Sequence, residues 1–482
     1  MKTKTMLLVA VASLALAACA TNPVTGKTEL SLIPEAQEIA IGKEEAAKVA
    51  ATMGLYPKPE VQKYVSDLGL AIAKESERPK LPWQFQVIDD PAVNAFALPG
   101  GFVFVTRGIL TYMNSEAELV SVLGHEIGHV TAKHSVSQMS KAQVASIGLG
   151  VGMVLYPELA QYGIDQIAGA GLGLLFLKFG RDDERQSDEL GFRYMVRLGY
   201  DPHEMAAMFT TLERYGKIAG GGAVPEWAST HPAPDNRVAA TMARVDKLPP
   251  TAAGLSIGRD ALLRQIDGMT FDENPRQGYF VKERFFHPDL EFVMDFPAGW
   301  KVQNGTQAVI AQSPKGDAMI VFDVAGKDAP KSVGEKFASQ EGIVASDARE
   351  LRINGMDAWR GYFKATTQQG ELGGLATFVA HGGTTWRILG LTTGAKLDTV
   401  RSTFDATAAS FARLTDKAAL SVQPAHVNLV RADREMTIEE FAQRYPSSIP
   451  IEKLATINGL EKGGKILKGQ FAKRVTGGEL PK

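Results

Sequence analysis

His125 and His129 stand four residues apart with Glu126 beside the first, in the segment His125-Glu126-Ile127-Gly128-His129. On a helix that spacing returns both imidazoles to one face, so both can reach a single cation. The neighbouring carboxylate then lies where it can contact a water on that cation, the placement of a general base for hydrolysis. A helix is predicted here. Ser115 and Glu118 have the spacing of a capping box, and Leu119, Val122, Leu123, Ile127 and Val130 recur on one apolar face. A third ligand must come from elsewhere. An elongated metzincin pattern needs a glycine three and a histidine six residues after His129, where Ala132 and Ser135 stand, so that class is excluded. Downstream, Glu184 and Asp188 repeat the i,i+4 spacing on a second helix, predicted to open near Asp183 and stop at Gly199. One carboxylate can bind zinc while the other accepts the free N–H of a ligand imidazole and fixes its tautomer. That is the gluzincin arrangement.

Four segments occur in order over residues 90 to 240: Asn94 to Gly101, the His125 to His129 motif with Ala132-Lys133-His134, Glu184 to Asp188 with Gly191, and Ser229-Thr230-His231-Pro232 with Arg237. Together they resemble the zinc endopeptidase family that includes HtpX, the CAAX prenyl protease, BepA and LoiP. The sequence departs from that pattern at Ser187, where members usually carry alanine, and the resemblance implies nothing beyond about residue 280. It implies one Zn2+ per chain on His125, His129 and Glu184, with Glu126 as the catalytic base and Asp188 and Arg237 behind the ligands. His231 is expected either to stabilise the developing oxyanion or to occupy the fourth zinc position and hold the enzyme latent; both roles stay open. The stretch Val103 to Thr106 resembles an edge strand that pairs with extended substrate, so Asn94, Ala95, Phe96, Val103, Phe104 and Val105 are the expected substrate-binding residues. His134, at i+5 from His129 and off the metal-facing stripe, is read as a non-ligand, as are His203, His287, His381 and His426.

The elements around this centre imply several folding units in 482 residues. The expected architecture is multidomain. A mainly α, zincin-type (gluzincin) peptidase domain with a small edge-strand sheet covers 31–280, an α+β domain covers 281–415, and a small βααβ module covers 424–476. That last module resembles a LysM glycan-binding repeat, without its usual Gly-Asp, and is read either as a peptidoglycan binder or as a structural cap. Residues 144–177 are Gly- and Leu-rich but interrupted by Pro157, Glu158 and Asp165, which suits buried or lid helices, with an interfacial segment as the alternative. Fifty-two Lys plus Arg against 54 Asp plus Glu leaves no basic field for nucleic acid, and a mean hydropathy of −0.07 excludes a multi-span transporter.

Cys19 is the single cysteine, so no intrachain disulfide can form. Lys2 and Lys4, the apolar run Met6 to Ala18 and Leu16-Ala17-Ala18-Cys19 resemble a bacterial lipoprotein signal over 1–18, followed by a polar tether over 19–30. Cys19 is the expected lipidation site, and Ala20 after it points to the periplasmic face of the outer membrane. The expectation is therefore an anchored envelope endopeptidase of protein quality control, acting on proteins or peptides. One rival is a non-proteolytic lipoprotein that binds peptidoglycan or assists outer-membrane assembly on a peptidase scaffold. The other is a zinc enzyme acting on a different bond.

Overall fold

The computed structural model describes residues 19–148, 179–218, 231, 236–249, 254–367 and 370–481. The predicted signal segment, residues 149–177 of the Gly- and Leu-rich stretch, and Ser229, Thr230 and Pro232 lie outside the described residues. The chain divides into two compact units, one of Met1–Asp272 with His426–Thr476, the other of Glu273–Ala425 with Gly477–Lys482.

The first unit begins with a hairpin of β1 (Cys19–Thr21) and β2 (Thr28–Leu30). The stretch read as a tether is therefore folded. Asn22 explains why: its Oδ1 accepts the N–H groups of Val24 and Thr25, a local turn, while its Nδ2 donates to Ala132 O at 3.2 Å. Helices α1 (Glu35–Met53) and α2 (Pro59–Lys74) follow, the second with proline in its first turn, where a missing N–H costs nothing.

A three-stranded sheet comes next, of β3 (Gln84–Ile88), β4 (Ala95–Leu98) and β5 (Phe102–Thr106), in the order β3-β5-β4. This corrects the expected edge. Val103, Phe104 and Val105 lie on the middle strand, parallel to β3 and antiparallel to β4, and the outer strands are β3 and β4. The physical reason is that all five β5 residues are buried, which suits a strand covered on both faces. Gly100 and Gly101, at φ 78° and 102°, make the tight turn that folds β4 back onto it.

Helices α3 (Arg107–Tyr112) and α4 (Glu116–Thr131) complete this part. Ser115 caps α4 through Glu118 N at 3.1 Å, but the Glu118 carboxylate accepts from Asn114 N instead of closing the predicted capping box on Ser115. Lys133, left-handed at φ 60°, turns the chain into α5 (His134–Gly148). Then come α6 (Arg181–Arg197), α7 (His203–Ile218), α8 (Arg237–Val245), α9 (Arg259–Ile266) and the short β6 (Thr270–Phe271).

In the second unit a seven-stranded antiparallel sheet spans residues 301–393, and a four-stranded sheet gathers 279–295 with Ala412–Arg413. Side chains alternate across the larger sheet. Trp359, Phe363 and Phe378 pack with α10 (Pro330–Ala338) on one face, and Tyr362, Leu375 and Ile388 with Phe404 and Ala408 of α11 (Leu397–Ser410) on the other.

The chain's last segment returns to the first unit as β7 (Ala425–Arg431), α12 (Ile438–Arg444), α13 (Ile451–Ile457) and β8 (Phe471–Thr476), the strand-helix-helix-strand order expected from sequence. Strands β8, β7 and β6 form one sheet. Lys473 of β8 is fully buried and donates to Thr111 O and Met113 O at 2.9 and 2.8 Å, just ahead of α4. The segment read as a separate module is thus packed into the same compact unit as α4.

Candidate metal centre and active site

Two helices cross closely enough to bring the sequence-predicted ligands together. A Cβ added at Gly124 would lie 3.0 Å from Gly191 Cα, and one at Gly128 would lie 3.0 Å from Ser187 Cα. Small residues four apart on α4 and on α6 therefore let the two backbones touch, and that contact sets His125 and His129 against Glu184 and Asp188. His231 joins them from the chain between α7 and α8. One ligand atom from each of His125, His129, Glu184 and His231 lies within 4.8 Å of the other three, and all four residues are buried.

The distances are short throughout. His125 Nε2 and His129 Nε2 are 3.0 Å apart, and the Glu184 carboxylate lies 3.4 Å from His129 Nε2 and 3.5 Å from His125 Nε2. His231 Nδ1 is 3.0 Å from Glu184 Oε1 and 3.3 Å from His125 Nε2. Phe179 stacks on the His129 ring at 4.0 Å.

Behind the ligands, Asp188 Oδ1 accepts from His125 Nδ1 at 2.9 Å, which leaves the lone pair of that ring on Nε2, facing the cluster. Arg237 grips both Asp188 oxygens, Nε to Oδ2 at 2.8 Å and Nη2 to Oδ1, and its guanidinium lies 4.0 Å over the Phe209 ring. The Asp188 and Arg237 expectation thus corresponds to a continuous chain of contacts ending on a ligand imidazole.

Burial is the leading influence on every charge here. It lowers the basicity of His125 and His129 and pushes the Glu126 carboxyl up to about 7. At Glu184 burial acts upward, but the His231 and His129 imidazoles outweigh it and hold the carboxyl well below its ordinary range. Asp188 is held down in the same way, burial being outweighed by Arg237. At His231 burial acts downward and is outweighed by Glu126 and Glu184.

The donor set fits zinc. Three imidazoles and one carboxylate around one point are zinc's preferred N/O ligands, and Glu184 Oε2 is buried without a hydrogen-bond partner. Both Glu126 oxygens are buried, and His231 Nε2 stands 3.6 Å from Glu126 Oε1. Asn94 is buried just ahead of the β4 edge, with Ala95 and Phe96 on that edge, whereas Val103, Phe104 and Val105 sit in the middle strand.

The other histidines fall outside the cluster. His203 pairs with Asp201, His381 bonds Leu290 O, and His426 bonds Gly268 O. His134 is also outside it, yet its Nδ1 lies 2.9 Å from His129 Nδ1. The i+5 spacing concealed this contact, because the left-handed turn at Lys133 folds His134 back. Phe179 was missed as well, since nothing local marks a lone phenylalanine as a wall of the site.

Residues 59–245 match the model of peptidase family M48. The chain carries an M48 peptidase domain. All seven predicted ligand, base and supporting residues fall within it, from His125 to Arg237. The chain is 28% identical over 222 residues to the beta-barrel assembly-enhancing protease of Yersinia pestis, covering 44% of this chain and 45% of that protein. It is 27% identical over 236 residues to the Escherichia coli (strain K12) protein of that name, covering 48% of each. It is 33% identical over 169 residues to the mitochondrial metalloendopeptidase OMA1 of Arabidopsis thaliana, covering 35% of this chain and 32% of that one. The chain thus spans less than half the length of these curated relatives. Among the described residues, no helix is long and apolar enough to cross a membrane.

Proposed function

We propose that the protein is a zinc endopeptidase of bacterial envelope quality control, hydrolysing peptide bonds in misfolded or misassembled envelope proteins. The observation that carries this reading is the buried His125, His129, Glu184 and His231 group with the Glu126 carboxylate beside it. His125, His129 and Glu184 would hold the zinc, which when bound supplies Lewis-acid polarisation of the scissile carbonyl and of the attacking water. Glu126 takes the proton from that water and passes it to the departing amine nitrogen. His231 lies between Glu184 and Glu126, a position that supports occupation of the fourth zinc site, and with it latency, over a role as oxyanion donor alone.

The edge of β4, through Ala95 and Phe96, is the backbone available to pair with an extended substrate, because both sides of β5 are taken and the outer side of β3 is bonded at Val87 by Tyr56 N–H and the Gln62 side chain. Anchoring through a lipid on Cys19, at the periplasmic face of the outer membrane, completes the proposal. For residues 424–476 the buried Lys473 contacts favour the structural cap over the peptidoglycan binder.

The test is hydrolysis of an unfolded protein such as casein. Cleavage should stop on chelation and return with zinc. A protein that holds zinc yet cuts no unfolded protein or peptide, even when His231→Ala has removed the latent fourth ligand, would favour the non-proteolytic assembly reading.

A further inference from the structure

The two ligand imidazoles are supported differently. His125 gives its Nδ1 proton to the Asp188 carboxylate, itself held by Arg237. Among the described residues no carboxylate bonds His129 at Nδ1: its Nδ1 meets His134 Nδ1 at 2.9 Å, and the far side of His134 meets Gln186, Nε2 to Oε1 at 2.9 Å.

Two nitrogens in contact through Nδ1 require a proton on one of them and a lone pair on the other, and Gln186 decides which. A carbonyl oxygen only accepts, so His134 must carry its proton on Nε2. Asp183 Oδ1, 3.7 Å from the same nitrogen, favours the same assignment. On a neutral His134 ring Nδ1 therefore accepts, His129 Nδ1–H donates, and His129 Nε2 keeps its lone pair towards His125 and Glu184. With the polarity reversed, the proton would sit on His129 Nε2 and block it as a ligand.

We propose that His134 and Gln186 are positioning residues that fix the metal-binding tautomer of His129 through a neutral relay, Gln186 Oε1 to His134 to His129. The proposal rests on the metal-centre reading above and adds two residues to it. Gln186 lies partly exposed on α6, two residues beyond Glu184, so a ligand and the residue that orients another ligand come from one helix turn.

The test compares wild type with Gln186→Leu, His134→Phe and Gln186→Glu. Zinc affinity is read by competition with a chromophoric chelator, and histidine tautomers by 15N NMR of the zinc-free, 15N-histidine-labelled protein. Wild type should show the His129 proton on Nδ1. Gln186→Leu and His134→Phe should weaken zinc binding about 10- to 100-fold, as expected when a group orienting a ligand is removed. Gln186→Glu, still an acceptor, should keep wild-type affinity, a rescue that loss of packing alone would not give. Thermal melting of the zinc-free proteins checks that the variants fold. Wild-type affinity in Gln186→Leu, or a proton on His129 Nε2 in wild type, overturns the relay while leaving the metal centre intact. A wild type that binds no zinc overturns the metal centre and the relay with it.

Discussion

The two units solve the problem of an interior in opposite ways. The first buries charge: Glu38 with Arg78, Arg107 with Asp89, Asp188 with Arg237, and the ligand cluster itself. The second buries apolar and aromatic surface around Phe292, Phe322, Trp386 and Phe411, and the buried polar side chains described there are threonines and His381. Buried charges are costly unless paired and hydrogen-bonded. A unit that carries so many is organised to hold groups in fixed places, whereas a unit stabilised by aromatic packing needs only its shape.

The largest expected effect falls at Glu126, the buried carboxylate beside the ligand cluster. Glu126→Gln should keep zinc and fold and lower casein hydrolysis by at least about two orders of magnitude, because the amide cannot take up the proton. Turnover close to wild type would show that the first unit's charges are structural only.

The next effect sets one unit against the other. Lys473→Met leaves the Thr111 and Met113 carbonyl oxygens without their buried donor, and should destabilise the first unit by about 1–3 kcal/mol. Phe292→Ala should cost the second unit about 3–5 kcal/mol. Denaturant unfolding with zinc content measured alongside separates them: Phe292→Ala should leave zinc stoichiometry unchanged. Zinc lost from Phe292→Ala would mean that the units are not energetically distinct.

The smallest effect is a pH dependence in the second unit. Burial is the main influence on His287 and holds its pKa at about 4, while its Nδ1 accepts Leu290 N–H. Because the folded value lies below the unfolded one of about 6.5, the neutral ring's contribution is present above pH 6.5 and is lost as pH falls towards 4, on the order of 2 kcal/mol. His287→Gln, which keeps an acceptor, should flatten that part of the stability profile; an unchanged slope would assign the acid loss to other groups.

What the sequence reveals follows the range of the interactions. The pairs His125/His129 and Glu184/Asp188 are legible because a helix writes its faces into spacings of four, and Gly124, Gly128 and Gly191 stand within the same motifs. Sheet order is set by long-range pairing, so β4, a four-residue strand ahead of Pro99, was overlooked as the edge in favour of the more apolar β5. Lys473 reads as an ordinary strand lysine until the fold aims it at carbonyls more than 350 residues away in sequence. His134 was dismissed on helical spacing that ends one residue earlier, at Lys133.

Zinc content tests the central claim most directly. Purified wild type should hold about one zinc per chain, and His129→Ala and Glu184→Ala, which remove donors from two different helices, should each lose most of it. Stoichiometric zinc retained in both variants would contradict the metal centre described here.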